Sequence, residues 1–288
     1  MNFYAIIADK ENVTLGVRDR IRTVLSTAFE AIINPIRAAA RRKRMTDLAA
    51  LSALKNELNA RRPLTRGELE RLREQFTIEY TYDSNAIEGN SLTLRETALV
   101  LSGVTIGEKP LRDHLDAIGH RDAFQYIESL IHDGVPLTER TIKEIHSLVL
   151  MNRPEDKGRY RRVPVVISGA SFTPPDPLFI PEQIVTLLND FDSSAAHPIE
   201  AAALFHLRFE RIHPFIDGNG RTGRLLLNFQ LMKSGYPPID VKYQDRRRYY
   251  DALDIFDREG NAAPIIGLIA DYVEERLLDF LSLTESRK

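Results

Sequence analysis

The stretch His213-Pro-Phe-Ile-Asp-Gly-Asn-Gly-Arg-Thr-Gly-Arg224 joins two helical patterns in a chain of 288 residues. The pattern before it carries the alanines at 201–203 with Leu204, Phe205 and Leu207, and stops near Ile212. The next runs from Leu225 to Met232. Gly218 and Gly220 flank Asn219, so the backbone can turn tightly and present bare N–H groups to a ligand. Those groups fall at a helix N-terminus, where the dipole favours an anion. Arg221 and Arg224 are three apart, hence on one helix face, and can fork onto phosphate oxygens. Asp217 offers a hard oxygen that suits Mg²⁺ shared with substrate phosphates. His213, with an ordinary pKa near ~6.5, suits proton removal at neutral pH. Each residue alone has a plainer use, as a cap or in a surface ion pair. A base, a metal ligand, an anion nest and two arginines in one loop together predict phosphoryl or nucleotidyl transfer.

Outward from the loop, helical periodicity dominates. Leu48, Leu51, Leu54 and Leu58 form one apolar stripe, and Thr65 with Glu68 makes a capping box for a helix to about Tyr82. Further helices are predicted over 93–101, 112–132, 138–150, 181–192, 198–212, 220–233, 245–257 and 263–282, with Gly134, Gly235 and Gly260 as stops. Leu92, Leu94 and Leu99 read as core. The segment 159–168 is rich in β-branched and aromatic residues and reads as a small hairpin, with Pro164 restricting it to an edge strand. The fold class expected is therefore all-α with one short hairpin. His206 stands seven residues before His213, but its apolar helix favours a core or hydrogen-bonding role over metal ligation. Arg211 reads equally as a surface ion pair.

Composition excludes several classes. There is no Cys, which removes disulfide scaffolds, thiolate metal sites and cysteine nucleophiles. His-Glu-x-x-His and Gly-x-x-x-x-Gly-Lys patterns are absent as well. The 39 basic and 41 acidic residues give a net charge of −2, no signature of bulk nucleic-acid binding. The balance hides an asymmetry: residues 1–62 carry 12 basic and 6 acidic groups, a net of +6, against −8 for the remainder. The cluster Arg41-Arg-Lys-Arg44 belongs to that excess and reads first as a solvated face. Apolar runs such as 264–270 fall short of the ~20 residues of a spanning helix. Residues 1–9 lack a basic stretch ahead of their apolar residues. A cytoplasmic protein is expected, with no membrane and no nucleic acid among its partners.

The loop resembles the signature of Fic-domain proteins, His-x-Phe-x-(Asp/Glu)-Gly-Asn-Gly-Arg-x-x-Arg, matched at every specified position. The likeness continues through the preceding helix, the segment 159–173 and much of 65–283. Upstream, Ser84-Asn-Ala-Ile-Glu88-Gly-Asn90 reads by itself as a helix end stopped at Gly89. It also resembles the family's inhibitory (Ser/Thr)-x-x-x-Glu-(Gly/Asn) element, in the class that carries its inhibitor on an N-terminal helix. The resemblance implies a Fic-type helical bundle and transfer of AMP from ATP to a Ser, Thr or Tyr hydroxyl of a target protein. It implies His213 as base, Asp217 as Mg²⁺ ligand, and Gly218, Asn219, Gly220, Arg221 and Arg224 as the phosphate site. Tyr249 and Tyr250 would line the adenine pocket, with packing the expected role of at least one. Glu88, with Ser84, would occupy Arg224 in place of the γ-phosphate. Val165, Val166, Ile167 and Ser168 would form a target-docking flap. The expected divisions are 1–62, a helical region without an assigned role; 63–134, carrying the inhibitory motif; 135–235, the catalytic core; and 236–288, closing helices. A homodimer stays open. De-AMPylation on the same site, and a nucleotide-binding regulatory module without transfer activity, are the alternatives.

Overall fold

The computed structural model describes residues 47–61, 66–167 and 172–285. The basic cluster at 41–44, the cap at Thr65 and the flap residue Ser168 lie outside the described residues. Ten α-helices are described, all within a compact unit that begins at Leu48. They are α1 (Leu48–Ala60), α2 (Arg66–Ile87), α3 (Leu94–Leu101), α4 (Leu111–His132) and α5 (Glu139–Val149). Then follow α6 (Ile180–Asp192), α7 (Pro198–Ile212), α8 (Asn219–Lys233), α9 (Arg246–Glu259) and α10 (Ala263–Glu285). None of the described helices is long and apolar enough to cross a membrane.

The helix α7 and the helix α8 form the central partition, because both are apolar on two sides. From α7, Ile199, Ala202, Ala203 and Leu207 join Leu227 and Leu231 of α8 in one core with α1 and α10. Phe205, Phe209 and Ile212 join Leu225, Leu226 and Phe229 in a second core with α2, α4, α5 and α6. A helix pair buried on both faces cannot shift without opening both cores. The loop that joins the two is thereby fixed at each end.

The helix boundaries follow the local signals closely. Thr93 caps α3 through a reciprocal box with Glu96, and His197 caps α7 by accepting the Ile199 N–H on Nδ1, ahead of Pro198. Three expectations are corrected. The helix expected to end near Tyr82 continues to Ile87, so Ser84 lies inside α2 and Glu88 just beyond it. The extra turn is buried and Asn85 donates to the Thr81 carbonyl, which removes the reason to stop. Leu92 is buried, but Leu94 and Leu99 are 42% and 37% exposed, because the short α3 packs through one side only. No strand is formed among the described residues, and 161–167 run as irregular chain. The backbone of Arg161 bonds instead to Pro214 in the loop between α7 and α8, and the last residue of the expected hairpin, Ser168, lies outside the described residues.

Candidate active site

The loop leaves α7 through a left-handed residue. His213 has φ 48° and ψ 60°, the only described non-glycine residue with positive φ. Such a conformation costs on the order of 1–3 kcal/mol and must be over-determined by its surroundings. Arg161, buried to 4% exposure, does this. Its Nε donates to the His213 carbonyl at 2.8 Å, its Nη2 to Pro175 O at 2.7 Å, and its N–H to Pro214 O at 2.9 Å. Six residues after His213, Asn219 closes the turn: its Nδ2 donates to Phe215 O and its Oδ1 accepts from Phe215 N, both at 2.9 Å. The Asn219 side chain, expected at a phosphate, is thus committed to the loop's own backbone, 2% exposed.

His146 of α5 holds the far side. Its Nδ1 accepts the Gly158 N–H, so Nε2 carries the proton and donates to Asp217 O at 2.9 Å. Its ring lies flat on Phe215, centroids 3.6 Å apart and planes 2° apart. Phe215 is fully buried. Replacing it by Ala should cost ~3–5 kcal/mol, read as a lower denaturant midpoint at unchanged slope. Neither Arg161 nor His146 was singled out from the sequence. Both work through contacts tens of residues away, which no local pattern signals.

The anion-binding end is charged and closed. Arg224, 2% exposed, donates from Nε to Ser84 Oγ at 3.0 Å and from Nη2 to Ser84 O at 2.7 Å and Glu88 Oε1 at 2.8 Å. Burial opposes its charge, but Glu88 beside it, together with Tyr249 and Glu210, outweighs this and holds the guanidinium more firmly protonated than usual. Glu88 also lies over the loop backbone: a Cβ placed on Gly220 would meet its Oε1 at 2.2 Å. Arg221, equally buried, pairs with Asp116 at 2.8 Å, a partner the sequence did not suggest. Gly218 takes φ 76° and donates its N–H to Asp217 Oδ1 at 2.6 Å. Asp217 Oδ2 points the other way, toward Arg112 and Arg153. Among the described residues no group of three His, Asp or Glu could hold a metal by itself. One outward carboxylate oxygen does fit Mg²⁺, which keeps waters and substrate phosphates for most of its octahedron.

A cavity of about 470 Å³ opens beside Glu88 and Gly220, lined also by Glu210, His213 and Tyr250, with Ile167, Phe172, Leu207, Leu253 and Phe256 as its apolar wall. The two tyrosines separate. Tyr250 lines the cavity, while Tyr249 is buried at 1% exposure and its hydroxyl meets His206 Nε2 at 2.8 Å. His206 is therefore a core hydrogen-bonding residue, as its apolar helix suggested. Arg211 borders the cavity near the Phe172 ring. Of the flap residues, Ile167 reaches the cavity and Val166 is 92% exposed.

His213 Nδ1 lies 3.3 Å from the Glu210 carbonyl, which can only accept. That fixes the proton on Nδ1 and leaves the Nε2 lone pair available. Burial pushes the imidazole down to about 4, the Glu210 carbonyl partly opposing and Arg161 adding to the shift. His146 is likewise lowered to about 4 by burial. A lowered imidazole is neutral at every pH above its folded value. Both rings should therefore show no protonation step between pH 8 and 6 in ¹⁵N imidazole spectra, and titrate only near pH 4; a step near 6.5 would contradict the burial described.

A profile of the Fic/DOC family matches residues 136–231. The chain is 36% identical over 216 residues to protein adenylyltransferase Fic of Drosophila yakuba, an alignment covering 73% of this chain and 43% of that protein. A Fic domain containing signaling protein from Bacteroides thetaiotaomicron superposes with TM-score 0.76 at 30% identity, over 84% of this chain and 97% of that one. This chain belongs to the Fic/DOC family. Fic-1 of C. elegans gives TM-score 0.74 at 31% identity, over 91% of this chain and 78% of the other. This Fic chain spans about half the length of the curated relatives it matches. The Fic segment 136–231 holds α5 to α8, and so His146, Arg161 and the whole loop, whereas Ser84, Glu88 and Asp116 reach the site from outside it.

Proposed function

We propose that this chain is a protein adenylyltransferase that moves AMP from ATP to a Ser, Thr or Tyr hydroxyl of a target protein, and that Glu88 restrains it. The observation that carries the reading is the Glu88–Arg224 contact of 2.8 Å at one cavity with His213. His213 Nε2 takes the hydroxyl proton as the oxygen attacks the α-phosphorus. The new P–O bond forms as the α–β bridging bond breaks, and pyrophosphate leaves. The catalytic core at 135–235 supplies the loop, 63–134 the restraint and 236–288 Tyr250. The backbone around Gly220 and the N-terminus of α8 orient the anionic phosphates, while the Gly218 N–H holds Asp217 Oδ1. Asp217 Oδ2 would hold Mg²⁺, which when bound supplies charge neutralisation between the α- and β-phosphates. Arg221 sets the β-phosphate; Arg224, once released by Glu88, sets the γ-phosphate. Asn219 contributes by holding the turn. Residues 165–168 would register an extended target segment by strand addition.

The test is incubation of wild type and Glu88→Gly with labelled ATP in a cell lysate, followed by identification of the labelled protein. Labelling by the variant that requires His213 supports transfer. Nucleotide binding without labelling would instead mark a regulatory module, and loss of label from a pre-modified target would mark de-AMPylation.

A further inference from the structure

Two further arginines converge on the anion-binding end and are used by none of the roles above. Arg112, on the first turn of α4, places Nη2 3.4 Å from Asp217 Oδ2. Arg153, in the segment after α5, places Nη2 3.3 Å from the same oxygen. They are 54% and 38% exposed, whereas Arg221 and Arg224 are 2% exposed. Arg112 Nε also approaches Asp116 Oδ2 at 3.5 Å, so one chain of charge runs from Arg153 through Asp217 and Arg112 to Asp116 and Arg221.

We propose that Arg112 and Arg153 form an outer arginine pair that binds the terminal phosphates of the nucleotide and the pyrophosphate released from it. This rests on the adenylyltransferase reading of the site and deepens it. Charge balance gives the first reason. In the inner site Asp116, Asp217 and Glu88 outnumber Arg221 and Arg224 by one. Before a cation reaches Asp217, a net negative inner set repels a triphosphate. Arg112 and Arg153 reverse the sign, and withdrawal of Glu88 adds to the reversal. Geometry gives the second. Oδ1 of Asp217 is taken closely by the Gly218 N–H, but Oδ2 meets the two guanidiniums loosely, at distances longer than a close charge-assisted bond. Exposed pairs of this kind contribute little to folding. They are readily exchanged when a cation takes Oδ2, which releases Arg153 from that oxygen and leaves Arg112 only its long approach to Asp116 Oδ2, so both can turn toward the polyphosphate. Arg221 offers its charge only from a buried, fixed position beside Asp116, whereas the outer pair is exposed.

The test uses the full chain in the Glu88→Gly background, with Mg²⁺, and titrates ATP, AMP and inorganic pyrophosphate by calorimetry before and after adding Arg112→Gln and Arg153→Gln. The pair predicts that ATP and pyrophosphate weaken by about tenfold or more while AMP changes less than twofold. Arg112→Lys with Arg153→Lys should recover part of the pyrophosphate affinity, since a point charge replaces a fork. Unchanged ATP and pyrophosphate affinity in a variant of unaltered melting temperature would overturn the proposal. So would an equal loss for AMP, which would make the two arginines mere supports of the loop. The activity stands apart: a parent that binds pyrophosphate through these residues yet transfers no AMP overturns the adenylyltransferase reading and leaves the outer pair standing.

Discussion

Glu88→Gly should raise incorporation of label from Mg·ATP, into the chain itself or a target, by roughly tenfold to a hundredfold, the effect of removing ~1–3 kcal/mol of competing interaction. Of the two partners, Arg224 is the fixed one: it is buried, and Ser84 holds it through Oγ and the main-chain carbonyl. Glu88 is the exchangeable one, 35% exposed and just past the end of α2. A terminal phosphate oxygen can replace Oε1 on the same Nη2 without disturbing Ser84. The competition is doubled by space, since Glu88 lies within 2.2 Å of a Cβ position on Gly220 and so covers the loop backbone that must face the phosphates. Glu88→Gln keeps the bulk and loses the charge, and should fall between wild type and Gly. Equal incorporation by wild type and Glu88→Gly would end the restraint hypothesis. Loss of Glu88 should lower stability only modestly, because Arg224 keeps two of its three oxygen partners.

What was legible in the sequence was whatever is encoded locally. Pro198, Thr93, Gly235 and Gly260 are punctuation marks whose effect is spent within one turn: α3 begins just after Thr93 and α7 at Pro198, while α8 and α9 end just before Gly235 and Gly260. The loop at 213–224 was legible for the same reason, since base, carboxylate, glycines and arginines follow one another in the chain. Its partners were not. Asp116, His146 and Arg161 lie 52 to 105 residues from the atoms they hold or pair with, and an isolated Asp, His or Arg in a helix or an irregular segment carries no mark of that task. The end of α2 was misplaced because its last turn is polar, and only the facing Arg224 and Thr81 show why Ser84 and Asn85 stay helical.

His213→Ala should reduce AMP transfer in the Glu88→Gly background by at least ~10²–10⁴-fold, the usual contribution of a positioned proton acceptor. Three features tie the effect to this residue. The Glu210 carbonyl fixes the tautomer, so the only nitrogen able to accept a proton is Nε2. The left-handed backbone, pinned by Arg161, sets the ring's position without help from substrate. Burial keeps the imidazole neutral at pH 7. An imidazole held near 4 is a weak base, and the polyphosphate supplies the remedy. Negative charge brought beside the ring favours the imidazolium, so basicity rises when the nucleotide is in place and not before. The loss should therefore fall on kcat, with KM for ATP nearly unchanged, because in the proposed reaction His213 would act on the hydroxyl and would not hold the phosphates. Arg161→Ala should reproduce part of the loss by releasing the backbone while leaving the imidazole present. Retained transfer by His213→Ala would assign the proton to another group; Glu210 at the same cavity is not ready for that task, since burial pushes its carboxyl up to about 8 and keeps it mostly protonated at neutral pH. A protonated acid cannot take the hydroxyl proton, which is why the assignment rests on His213.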